Sequence, residues 1–202
     1  MHTTLISLLS YIGTASSIIE GILTAKKMKL QCFIQFLSGI SAAFLGEIFL
    51  RDLVLLRTTP ACFANPLAMT ITATACVFSI IILKNKEPEN ICPSILCIFN
   101  SIGIVGSVAV GYNQGARAGV LTAFACGFVT SCGGSILTTA IQTVTKNNCK
   151  TFFITLAENK WHYLFIASMS IIYGILNFTN HNDNAAIIIL VAVAIVIGFI
   201  VE

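Results

Sequence analysis

Gly13-Thr14-Ala15-Ser16-Ser17-Ile18-Ile19-Glu20-Gly21 and Gly103-Ile104-Val105-Gly106-Ser107-Val108-Ala109-Val110-Gly111 share one pattern, glycine, serine and glycine at four-residue intervals. Each lies within a hydrophobic block, and each is followed by a second block that glycine interrupts. The recurrence predicts two copies of one membrane unit. Three apolar spans fit in the unit, and an odd number of crossings makes the second copy enter the bilayer from the opposite side. The expected architecture is therefore an inverted repeat, which commonly sets a pathway at the midplane between interrupted helices in equivalent positions. Residues four apart share a helix face, so the stripes themselves read first as close helix packing.

Composition sets the solvent. Of 202 residues, 56% are hydrophobic and 9% charged, and the mean hydropathy is +0.92, far from a soluble domain. Helices satisfy their own backbone in lipid, whereas a barrel needs alternation that the run 185–201 lacks. The fold class expected is an all-α membrane protein. The start carries no basic n-region and the first block is long, so it is read as a retained span and not a signal peptide. The eight cysteines include no CxxC and no Cys/His cluster, which makes them packing residues and predicts no metal site and no cofactor. A net charge of +3 spread over loops is no nucleic-acid signature.

Seven blocks approach the roughly 20 apolar residues a span needs: 5–25, 30–56, 66–83, 91–112, 116–144, 162–178 and 184–201. The division predicted is a first three-helix repeat over 1–84, a polar linker over 85–90, a second three-helix repeat over 91–178 and a seventh transmembrane helix over 179–202. Every lysine falls in alternate loops: Lys26, Lys27 and Lys29, then Lys84 and Lys86, then Lys146, Lys150 and Lys160. Positive loops stay cytoplasmic, which places the N-terminus outside and Glu202 inside.

The second span contains Gly46, Glu47, Arg51 and Asp52. Ionisable groups at such depth usually face a bundle interior or a water-filled cavity, and Glu47 and Arg51 are spaced to pair on an α-helix. The alternative is that Arg51 and Asp52 cap the helix at the interface. In the fifth span Ser131, Ser135, Thr138 and Gln142 share one face, with Thr139 beside them. Hydroxyls can glue helices together, but the adjacent Gly133 and Gly134 favour a kink, which frees carbonyls to replace part of a cation's hydration shell. The pore-lining residues expected are Gly46, Glu47, Arg51, Asp52, Ser131, Gly133, Gly134, Ser135, Thr138 and Thr139.

Gly46-Glu47-Ile48-Phe49-Leu50-Arg51-Asp52 resembles a degenerate Gly-Gly-Gly-x-x-Arg-Asp motif of the prokaryotic trimeric intracellular cation channels, a domain also known as a bacterial glycine-transporter domain. Gly133-Gly134-Ser135, the segment Thr58-Thr59-Pro60, the glycines of the first and fourth spans and the unpaired seventh span extend the resemblance over nearly the whole chain. It implies a homotrimer in the prokaryotic inner membrane, with a pore in each protomer between kinked second and fifth helices that passes potassium or sodium, and with lipid as a bound partner. The chain departs from the pattern at Glu47 and Ile48, where glycine is usual, at Gln31 and Asn100, where acids are common, and at Thr138-Thr139, where Arg-Asp is common.

Two functions share these features. A monovalent cation channel would use carbonyl and hydroxyl dipoles along the fifth helix, with Glu20 and Glu47 concentrating cations. A secondary transporter of a small zwitterion such as glycine would use the ends of broken helices. No enzyme is expected: His2, His162 and His181 lie at the start or near span ends, and no nucleophile arrangement or phosphate-cradling loop occurs.

Overall fold

The computed structural model describes residues 2–58, 66–84, 93–145, 149–179 and 183–201, and within them the side chains of residues 2–5, 7, 45–48, 66–68, 71, 93–96, 149–151, 183–186 and 198–201 lie outside the description. The linker 85–90 also lies outside it. Helix α1 spans His2–Lys27. Helix α2, Cys32–Ile40, runs directly into a π-helical segment, Ser41–Leu55. Then come α3, Pro66–Leu83, and α4, Pro93–Gly115. A 3-10 turn over Ala116–Ala118 leads into α5, Val120–Thr145. The chain finishes with α6, Cys149–Glu158, α7, Lys160–Thr179, and α8, Asp183–Val201. No strand occurs among the described residues, so the all-α class holds, and each of the seven apolar blocks carries a helix.

Among the described residues, three helices are long and apolar enough to cross a membrane by themselves, within Leu8–Lys27, Val120–Thr145 and Lys160–Thr179. The pair Cys32–Phe44 and Phe49–Leu55 makes a fourth span if taken together. Large apolar side chains face outward on α3 (Phe78, Ile81), α7 (Ile171, Ile175, Phe178) and α8 (Ile188, Ile189, Val196). That surface suits hydrocarbon, and the chain is a multi-pass membrane protein.

Two apolar clusters hold the helices. One joins Ile18, Ile22 and Leu23 of α1 to Ala43, Cys76 and Leu83. The other gathers Val105, Val108 and Tyr112 of α4, Ala123 and Cys132 of α5, Ile166, Met169 and Tyr173 of α7, and Leu190 and Ala194 of α8. Tyr112 packs edge-on against Phe124 and Tyr173 at centroid separations of 5.5 and 5.4 Å. At its C-terminus α1 closes with Lys29 in the left-handed region (φ 55°), Lys29 N–H donating to the Lys26 carbonyl at 2.8 Å and Leu30 N–H to the Ala25 carbonyl at 3.1 Å. The Lys26 ammonium reaches the terminal carbonyls Leu83 and Lys84 of the α3 end, where a cation is favoured.

The glycine stripes sit where backbones approach most closely. A Cβ on Gly13 would lie 2.6 Å from the Gly103 Cα, so the equivalent glycines of the two stripes meet each other. Gly21 rests on the Ser38 carbonyl and the Ala42 methyl, while Gly111 rests on the Cys126 carbonyl and Thr130. Gly103→Val is expected to destabilise the fold by about 1–3 kcal/mol or more, because the obstruction is backbone that cannot rotate away. Thermal unfolding in detergent checks this; an unchanged midpoint would mean that α1 and α4 do not touch there.

The glycine breaks differ from expectation. The second span is bent, by 52° between Cys32–Phe44 and Phe49–Leu55, and its C-terminal part, Ser41–Leu55, has π winding, which elsewhere occurs mostly as single turns and often at functional sites. The fifth is not broken: α5 runs from Val120 to Thr145 as one α-helix straight through Gly133 and Gly134. The kink predicted there is corrected to a contact. Gly134 lies against the Ala42 carbonyl, so the missing side chain brings α5 onto α2 rather than freeing its own carbonyls.

Candidate functional site

A cavity of 410 Å³ lies among α1, α4, α5 and α7. From α1 it takes Ser17, Glu20, Gly21 and Thr24; from α4, Asn100, Ser101 and Ser107. Helix α5 contributes Thr130, Ser131, Ser135, Thr138, Thr139, Gln142 and Thr143, and α7 adds His162 and Tyr163. The π-helical segment after α2 contributes only Ala42. The polar part of the wall is a run of neutral oxygens with one carboxylate, Glu20, and no lysine or arginine among the described lining residues; Met28, Cys97, Ile104, Phe165 and Ile197 make the apolar part. At one end the lining reaches Met28, Thr143 and Thr155, near the C-terminal ends of α1 and α5. Its inner end reaches Ser107 and Thr130, mid-helix residues. With a rise of 1.5 Å per residue, Thr143 to Thr130 spans about 20 Å.

The polar face of α5 does two jobs. Ser131 Oγ donates to the Ile104 carbonyl on α4 at 3.2 Å, Thr138 Oγ1 donates to the Ser38 carbonyl on α2 at 3.3 Å, and the Gln142 amide donates to Ser38 Oγ at 3.4 Å. These bonds tie α5 to both neighbours. Ser135 and Thr139 instead donate to their own helix, at the Cys132 and Ser135 carbonyls. The Tyr163 hydroxyl reaches Ser135, so α7 closes one side of the cavity.

Of the ten pore-lining residues expected, the structure brings Ser131, Ser135, Thr138 and Thr139 to the cavity. Gly133 and Gly134 are buried away from it, Gly134 at the α2 contact. Gly46 and Glu47 lie in the π-helical segment, and the side chain of Glu47 is outside the description. Arg51 and Asp52 are both 3% exposed and form an ion pair, Arg51 Nε donating to Asp52 Oδ1 at 2.7 Å. They do not line the cavity, and they are not at an exposed helix end. Cys126, one turn of α5 beyond Thr130, is in electrostatic reach of both. The pair sits in the π-helical segment, which packs along α5.

Sequence reasoning missed Ser17, Ser107, Thr130, His162 and Tyr163. A signal for two of them was present: in each Gly-x3-Ser-x3-Gly stripe the glycines pack, and the serine between them faces the cavity. His162 and Tyr163 had none, since only tertiary packing turns the start of α7 inward.

Residues 7–84 match the family model described as glycine transporter. The inner membrane protein YadS of Escherichia coli is 26% identical over 131 residues, which is 64% of this chain and 62% of that protein. The matched region thus spans less than two thirds of these curated relatives. Among solved structures, one determined as the basis for conductance through TRIC cation channels superposes with a TM-score of 0.76 at 18% identity, covering 96% of this chain and 90% of the other. The trimeric intracellular cation channel orthologue from Rhodobacter sphaeroides gives 0.71 at 16% identity, covering 97% and 96%.

Proposed function

We propose, for a protein whose residues 7–84 belong to the glycine-transporter domain family and whose whole chain has the fold of the trimeric intracellular cation channels, that it conducts monovalent cations such as potassium. The family resemblance drawn from its motifs holds. The observation that carries the function is the cavity: hydroxyl and amide oxygens over about 20 Å, one acid and no lysine or arginine among its described lining. Neutral dipoles replace hydration water for a monovalent ion without trapping it, and Glu20 raises cation concentration at the mouth.

The route follows the hydroxyl face of α5 from the lysine-rich end, past Thr130, toward the Arg51–Asp52 pair. This places it beside α5, with α1, α4 and α7 as its other walls and the bent α2 at its inner end. The contact between Gly13 and Gly103 supports the inverted repeat, since equivalent residues that meet each other mark a pseudo-two-fold axis. The lysine loops support a cytoplasmic mouth and an outside N-terminus. A homotrimer with one route per protomer is part of this reading, as is lipid around the outward apolar faces.

The test is the reversal potential of reconstituted protein in asymmetric potassium chloride. A value near the potassium equilibrium potential is expected, and no unitary current from folded protein would end the channel reading. Glu20→Gln is expected to lower conductance about two- to threefold in 20 mM potassium and hardly at all in 1 M, where the Debye length is about 3 Å. Equal conductance at both concentrations would remove Glu20 from the mouth.

A second reading, a carrier of a small zwitterion, is supported by the cavity's size, 410 Å³, within the roughly 300–1,000 Å³ typical of small-molecule sites. Saturable, competable uptake of labelled glycine without single-channel steps would favour it.

A further inference from the structure

Threonine hydroxyls in this protein mostly close onto their own helix. Thr14, Thr24, Thr74, Thr139, Thr143, Thr145 and Thr179 each donate to the carbonyl four residues back, at 2.7–2.9 Å. Thr138 reaches across to another helix. Thr130 does neither. Its Oγ1 is the only buried side-chain polar atom without a hydrogen-bond partner among the described residues, on a residue 2% exposed at the inner end of the cavity. An orphaned buried hydroxyl costs about 1–3 kcal/mol, so a ligand that uses it is the economical explanation.

Packing does not require this hydroxyl. Gly111 is seated on the Cys126 carbonyl and on Thr130, four residues further along; a Cβ there would meet Thr130 Oγ1 at 2.5 Å. The matching junction of the first repeat seats Gly21 on the Ser38 carbonyl and, again four residues further, on Ala42. A methyl serves at one junction, so an oxygen is not needed at the other. Both Ala42 and Thr130 line the cavity, and only the second carries a side-chain oxygen.

We propose that Thr130 Oγ1, with Ser107 across the cavity wall on α4, coordinates a partly dehydrated monovalent cation at the inner end of the cavity. This rests on the channel reading and adds a place and a ligand set to it. Hydroxyl oxygens offer lone pairs without net charge, which suits an ion that loses water at modest cost. Divalent cations, which draw on carboxylates, are poorly served here, since the one lining acid, Glu20, lies further along α1 toward the mouth.

The test uses full-length reconstituted protein and two readouts, single-channel potassium conductance and the melting shift between potassium chloride and N-methylglucamine chloride. Thr130→Val keeps the shape and removes the oxygen; it is expected to lower conductance about tenfold and to abolish the potassium-dependent shift. Thr130→Ser should retain both. If the valine variant does not assemble, Thr130→Ala takes its place, because alanine already fills the equivalent junction. Wild-type conductance and an unchanged potassium shift in the variant that assembles would overturn the site while leaving the channel standing. A wild-type protein that passes no current, yet loses its potassium shift on Thr130→Val, would keep the site and end the channel reading.

Discussion

Gly134→Ala is expected to cost the protein about 3 kcal/mol or more, and Gly134→Leu to prevent assembly, because the added carbon would collide with a backbone carbonyl. The atoms it would meet belong to Ala42: the carbonyl oxygen first, then its carbon at 2.9 Å and the Cα at 3.2 Å. Backbone cannot rotate away, so the long contact between the bent α2 and the unbroken α5 must open. The hydrogen bonds from Thr138 to the Ser38 carbonyl and from Gln142 to Ser38 Oγ would stretch with it. Thermal unfolding followed by size exclusion in detergent reads the outcome. A Gly134→Ala protein that melts and elutes like wild type would show that α2 and α5 are not seated as described.

Arg51→Ala is the second large effect, expected at about 3–5 kcal/mol, because removing one member of a buried pair leaves the other charged and poorly solvated. Both residues are 3% exposed, and Arg51 Nε lies 2.7 Å from Asp52 Oδ1. Removing both charges, in Arg51→Ala/Asp52→Ala, should restore part of the loss. That non-additivity separates a buried pair from two independent contacts. If the double variant is as damaged as the sum of the singles, the pair is not the unit the structure presents.

The fold was largely legible because lipid enforces a simple rule. Every span must be helical and apolar, so hydropathy located the seven blocks, and the third block, 66–83, matches α3 residue for residue. Helix α6 was missed, since ten residues after a lysine-bearing loop carry no span-length signal. The bend in α2 was legible in its glycine and charges. The glycine pair of α5 was misread, because adjacent glycines permit either a kink or a close approach, and the neighbour decides which.

The candidate site was half legible for the same reason. Ser131, Ser135, Thr138 and Thr139 followed from helical periodicity alone, which fixes which residues share a face. Periodicity does not say what that face meets. Arg51 and Asp52 share a helix that touches α5, yet they do not line the cavity.

The sequence by itself determined a helical membrane chain, its apolar blocks and the small-residue stripes, since these depend on local spacing and on the solvent that surrounds each helix. The tertiary structure decided which side of each stripe is packed and which is open, that His162 and Tyr163 turn inward, and that Thr130 is left without a partner. Those are relations between side chains on different helices, set by how closely backbones approach, and such distances have no counterpart in residue order.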